Sequence, residues 1–189
     1  MTISTNKIKI APGHLLVANP LNPKDDLSRS VMLLVSHTPK MSVALQINNP
    51  VEDINLQTVA EGLGIQYLFP DPLYYGGSSN THKIHVVHSA EWKGLSTVKL
   101  NNEIAVTSDI SVIEAIAAGD GPDMFRACAG YWAWHEGLLE TQLDPRSSED
   151  PHKWEVTPAT IENVFNGEGP DQWRFTLEDS ARYQVGEWF

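Results

Sequence analysis

The sequence predicts an α/β chain in which short buried strands alternate with short helices. Residues 31–35 (Val-Met-Leu-Leu-Val) and 42–47 (Ser-Val-Ala-Leu-Gln-Ile) are brief apolar runs bracketed by polar and turn residues. Such runs read as buried strands. Pro39 and its polar neighbours make 36–40 a loop, so the two runs predict an adjacent antiparallel pair. Farther on, Leu56, Val59, Ala60 and Leu63 recur at helical spacing, with Asp53 or Asn55 as N-cap and Gly64 as the stop.

The other elements follow in order. A polar arm covers 1–11, and a short strand runs from Gly13 to its end at Pro20. Residues 73–75 form a short strand against Gly76 and Gly77, and 83–88 form a β-branched one. A hairpin joins 96–100 to 103–107 across Asn101 and Asn102. Ser111 and Glu114 have capping-box spacing, with Thr107 or Ser108 as alternative caps, for a helix that buries Ile113, Ile116 and Ala117 and stops at Gly119. Residues 124–134 return as a strand with Trp132 and Trp134 on one side, and 137–143 form a short helix. The polar stretch 144–153 is the best boundary, so one domain spans 1–189 with any C-terminal appendage beginning near residue 150. Beyond it come a strand at 154–156, a helix opened by Thr157 and Pro158 and closed by Asn166 and Gly167, and a last helix over 171–183.

Composition excludes several classes of function. With 41% hydrophobic and 20% charged residues, the chain is an ordinary globular protein with a proper core. Its net charge is −11, and the 13 basic residues form no run, which opposes direct nucleic-acid binding. The single Cys128 forms no internal disulfide, and neither a leader nor a membrane span stands out, so a cytoplasmic setting is expected.

Several motifs in order resemble the AlgH/YqgE-like family of bacterial proteins. They are Gly13-His-Leu-Leu-Val-Ala, Arg29-Ser-Val with His37, Ile47-Asn-Asn-Pro, Tyr74-Tyr-Gly-Gly, His88-Ser, Thr107-Ser-Asp, Gly121-Pro, Gly130-Tyr-Trp-Ala-Trp and Gly137-Leu-Leu-Glu, followed by Trp154 and the helix from Pro158. The resemblance implies an α+β fold whose branched, partly barrel-like mixed sheet is surrounded by helices. Its members are mostly uncharacterised and often carry a transcriptional-regulator label. The resemblance implies little about activity; the candidate binding residues among these motifs are Arg29, His37, Asn48, Tyr75, Gly76, Gly77, His88, Trp134 and Glu140. The chain departs from the family at Val35, where a cysteine is usual, and at Asn49, where Arg or Lys is usual. Ala133 and His135 replace glycines, and Leu138 replaces a Gln.

The candidate chemistry is thin. His82, His85 and His88 alternate sides on a strand and do not converge on a metal. Gly76 and Gly77 lack the spacing and the lysine of a nucleotide loop. No serine sits in a nucleophile elbow, although Ser30, Ser89 or Ser108 with His37, His88 and Asp109 offers the parts of a hydrolase or transferase site. Trp132 and Trp134 read as core before they read as a stacking platform. Arg29 and Glu140 both flank apolar runs, which predicts a half-buried Arg29 paired with Glu140 or, second, Asp109, with an anionic ligand held by Arg29 as the alternative reading. The expected protein is therefore a non-enzymatic regulatory or accessory protein, without cofactor, that binds a protein or small ligand. A hydrolase or transferase is the rival, and a transcriptional regulator the third reading.

Overall fold

The computed structural model describes residues 9–186. Most of the predicted polar arm, and residues 187–189, lie outside them. Among the described residues, ten strands and five helices form a mixed α+β fold around a curled half-barrel sheet. The central pair is β2 (Val31–His37) and β3 (Met41–Gln46), antiparallel as expected. Outside β2 lie β1 (His14–Ala18) and then β10 (Trp154–Pro158). Residues beyond 150 thus enter the sheet directly.

The apolar runs are unbroken because both faces of these strands are covered. Val31, Met32, Leu33 and Leu34 are all fully buried. Val31 and Leu33 join Leu15, Leu45 and Ile47 on one face, beneath Val164 and Trp173; Met32 and Leu34 join Leu16, Trp134 and Trp154 on the other. Val35 is the extra residue of a bulge, since Leu34 pairs with Ala44 and Ser36 with Val43.

The branch is made by β9 (Phe125–His135). Its later half pairs with β3, and its earlier half pairs with β6 (Ser79–Ser89) and, in parallel, with β5 (Pro72–Tyr75). Glycine is required where these backbones cross. A Cβ on Gly76 would lie 2.4 Å from the Gly130 carbonyl oxygen, and one on Gly130 would lie 2.4 Å from that of Gly77. The hairpin β7 (Thr97–Lys99) and β8 (Ile104–Thr107) extends the sheet beyond β6, and β4 (Pro50–Asn55) pairs with β5.

The first three helices are α1 (Leu56–Gly62), capped by Asn55, α2 (Ser111–Ala118), and α3 (Leu138–Leu143). The predicted side-chain caps of α2 are not used; its N-cap is Ile110, and Asp109 instead accepts from the Ser111 N–H. The helix expected to open at Thr157 and Pro158 starts later, as α4 (Ile161–Phe165). Pro158 ends β10, an edge strand where a missing N–H costs no ladder bond, and Thr160 with Asn163 forms the capping box. The last helix is α5 (Gly169–Gly186), whose Trp173 donates to the Ala18 carbonyl at 2.8 Å. No helix among the described residues is long and apolar enough to cross a membrane.

Cys128 is fully buried in β9, and burial pushes its thiol up to about 12 despite Arg126 on the same strand. Native protein should therefore react slowly with a chromogenic thiol reagent at neutral pH and rapidly after denaturation. Fast native labelling would mark an activated thiol.

Candidate functional site

The turn at 167–170, where the link from α4 enters the first residues of α5, is held from both sides, and a concavity opens on each. Asn48 holds one side. Its side chain accepts from the Val31 N–H at 2.9 Å and donates to the Arg29 and Gly169 carbonyls at 2.9 Å each. Its own carbonyl accepts from the Gly169 N–H at 2.7 Å.

That network fixes Arg29 in a left-handed conformation, φ 56°, which costs a non-glycine residue roughly 1–2 kcal/mol. The consequence is a correction. Arg29 is exposed, not half buried, and no carboxylate pairs with it among the described residues. Glu140 lies instead 3.8 Å from His37 Nε2, and Asp109 is engaged at the start of α2. The left-handed residue turns the chain before β2 begins at Val31, so Arg29 does not follow the strand into the core. Its guanidinium carbon lies 5.9 Å from the centre of the Trp173 ring.

Arg29, Gln46 and Asn48 line a cavity of about 210 Å³ with Gly169 and Pro170, and Asp26 stands beside them. Gln46 is 4% exposed, and its side-chain oxygen accepts from Trp132 Nε1 at 3.2 Å. Its amide N–H groups have no acceptor among the described residues, so they are available to the cavity. The N-terminus of an 18-residue helix adds its positive end.

Arg126 holds the other side of the turn. Nη2 donates to the Gly167 carbonyl at 2.7 Å, and Nη1 donates to the Ile47 carbonyl at 2.6 Å and to Gln172 Oε1 at 2.7 Å. Its guanidinium lies 4.7 Å from the centre of the Tyr74 ring, and Tyr74 donates to Glu168 at 2.5 Å. Burial and that carboxylate both hold the Tyr74 hydroxyl above its usual range. The cavity here measures about 370 Å³. Sequence reasoning missed Arg126; the available signal was a lone charge in the otherwise apolar and small run Phe125-Arg-Ala-Cys-Ala.

The other motif residues lie elsewhere. Gly76 and Gly77 sit at the backbone crossing, and Tyr75 meets Trp132 edge to face. Trp134 is core, edge-on to Trp154. His37 bonds Ser42 Oγ at 2.8 Å. His88 is fully buried between the Ser89 carbonyl and Thr107 Oγ1, and burial lowers its pKa. No hydrogen bond joins His37, His88 and Asp109 among the described residues. No three His, Cys, Asp or Glu side chains there group to hold a metal.

Fold and site together define an α+β half-barrel with two arginine-based concavities around one turn. The chain belongs to the AlgH-like family (DUF179), whose model matches residues 15–181. It is 29% identical over 171 residues to a UPF0301 protein of Sphingopyxis alaskensis, covering 89% of this chain and 88% of that one. The Rhodospirillum rubrum UPF0301 protein is 30% identical over 159 residues, covering 81% and 78%. The solution structure of AlgH from Pseudomonas aeruginosa superposes with a TM-score of 0.71 at 29% identity, covering 94% and 90%. Protein DIP2367 from Corynebacterium diphtheriae, at 21% identity and a TM-score of 0.74 over 93% and 90%, shares the fold.

Proposed function

We propose that this chain is a non-catalytic regulatory or accessory protein of the cytoplasm that works by binding a small ligand through a phosphate or carboxylate group at Arg29. The observation that carries this reading is an exposed arginine, fixed in a strained backbone conformation and without a carboxylate partner among the described residues, over a cavity that also receives the spare Gln46 amide. Any influence on transcription would pass through a protein partner, because a net charge of −11 opposes duplex DNA.

Titration with inorganic phosphate, citrate and a nucleoside monophosphate, followed by side-chain amide NMR, tests the site. At least one should perturb Gln46 saturably below about 10 mM. Arg29→Met should weaken that ligand about tenfold or more while leaving the melting temperature within about 2 °C, since an exposed group resting 5.9 Å from the Trp173 ring centre contributes little to stability. Asp26→Asn should tighten binding several-fold by removing a like charge from the cavity. An Arg29→Met protein that binds as before, or a wild type silent to all three ligands, would sink the proposal.

A further inference from the structure

We propose that the larger cavity, beneath Arg126, is a separate site that takes a free α-amino acid, recognised as a zwitterion. Arg126 is only 5% exposed, yet none of its hydrogen bonds goes to a carboxylate: all three reach neutral carbonyl oxygens. Buried charges are ordinarily paired, and here the Glu168 carboxylate acts on Arg126 at a distance, with Tyr74 over the guanidinium, rather than through a hydrogen bond. A guanidinium has five N–H donors. The donors left over have no acceptor among the described residues, and Arg126 lines the cavity. A carboxylate entering there finds charge-assisted hydrogen bonds already pre-organised by the fixed fork.

The remaining lining explains why a simple anion does not fit. Asp71, Asp123 and Glu168 also line the cavity. Two of these carboxylates are oriented by tyrosine hydroxyls, Asp71 by Tyr67 and Glu168 by Tyr74. The side chain of Asp123 has no partner among the described residues. Three negative groups around one positive one repel a lone anion, and a lone cation leaves Arg126 unanswered. A carboxylate with an ammonium one carbon away satisfies both. Phe125 and Phe165 supply apolar wall for a side group. A volume of about 370 Å³ falls within the range of small-molecule sites.

The test is saturation-transfer NMR on the full chain with the twenty proteinogenic amino acids, followed by calorimetry of the strongest responder. Its decarboxylated amine and its deaminated acid are titrated alongside. The zwitterion should bind at least about tenfold tighter than either analogue. Asp123→Asn changes an exposed side chain that holds nothing else, so the fold is kept, and zwitterion affinity should fall about tenfold. Arg29→Met should leave it unchanged, which separates this site from the anion pocket across the turn. The inference is overturned if no amino acid binds saturably, if the acid alone or the amine alone binds as well as the zwitterion, or if Asp123→Asn has no effect.

Discussion

Gly130→Ala is expected to destabilise the protein by about 4 kcal/mol, a large share of a typical domain's 5–15 kcal/mol. Two causes add. Gly130 has φ 74°, a left-handed conformation that costs alanine about 1 kcal/mol. The new Cβ would also sit 2.4 Å from the Gly77 carbonyl oxygen and 2.8 Å from that of Ser79, both backbone atoms that cannot rotate away. Relieving that clash means pulling β5 and β6 off β9 at the branch of the sheet, and overpacking of this kind costs about 1–3 kcal/mol or more. The control is Gly119→Ala at the end of α2. Its φ is 79°, but nothing lies within 4 Å of the added carbon, so only the conformational cost of about 1 kcal/mol remains. Urea denaturation of both variants separates sterics from backbone strain. Equal losses would show that the crossing is not tight.

The same crossing shows what could be read in the chain and what could not. Tyr74-Tyr-Gly-Gly was visible as a motif, but its glycines serve close backbone contact with a strand more than fifty residues away, and no local pattern reveals that partner. The central pair was legible because both faces are buried, which leaves an unbroken apolar signature. β4 was not, because its residues are mostly half or fully exposed and its pairing is through backbone. Arg29 was legible as a residue of interest, while its environment was misjudged. Proximity to an apolar run says nothing about a left-handed residue that turns the chain first. Arg126 was missed for the opposite reason. Its partners come from residues 47, 167 and 172, distant in sequence and mostly carbonyl groups, which carry no side-chain signature.

The tryptophans lead to the other large expected effect. Trp134 and Trp154 are almost fully buried, edge-on with ring centres 6.0 Å apart, and both indole N–H groups donate to one atom, Gln142 Oε1, at 2.8 and 2.6 Å. Gln142 is itself 4% exposed on α3. One carbonyl oxygen, with two lone pairs, therefore satisfies two buried donors and ties α3 to β9 and β10. Gln142→Leu keeps the approximate volume and removes that acceptor. Each orphaned indole N–H costs about 1–3 kcal/mol, so the variant should lose about 4 kcal/mol. If the loss comes from the orphaned donors, deleting one of them must lessen it. In a double-mutant cycle with Trp154→Phe, the cost of Gln142→Leu should drop by about 1–2 kcal/mol, because one orphan no longer exists. Additive effects in the cycle, or a Gln142→Leu protein as stable as wild type, would mean that these indoles reach other acceptors and that Gln142 does not join the two strands.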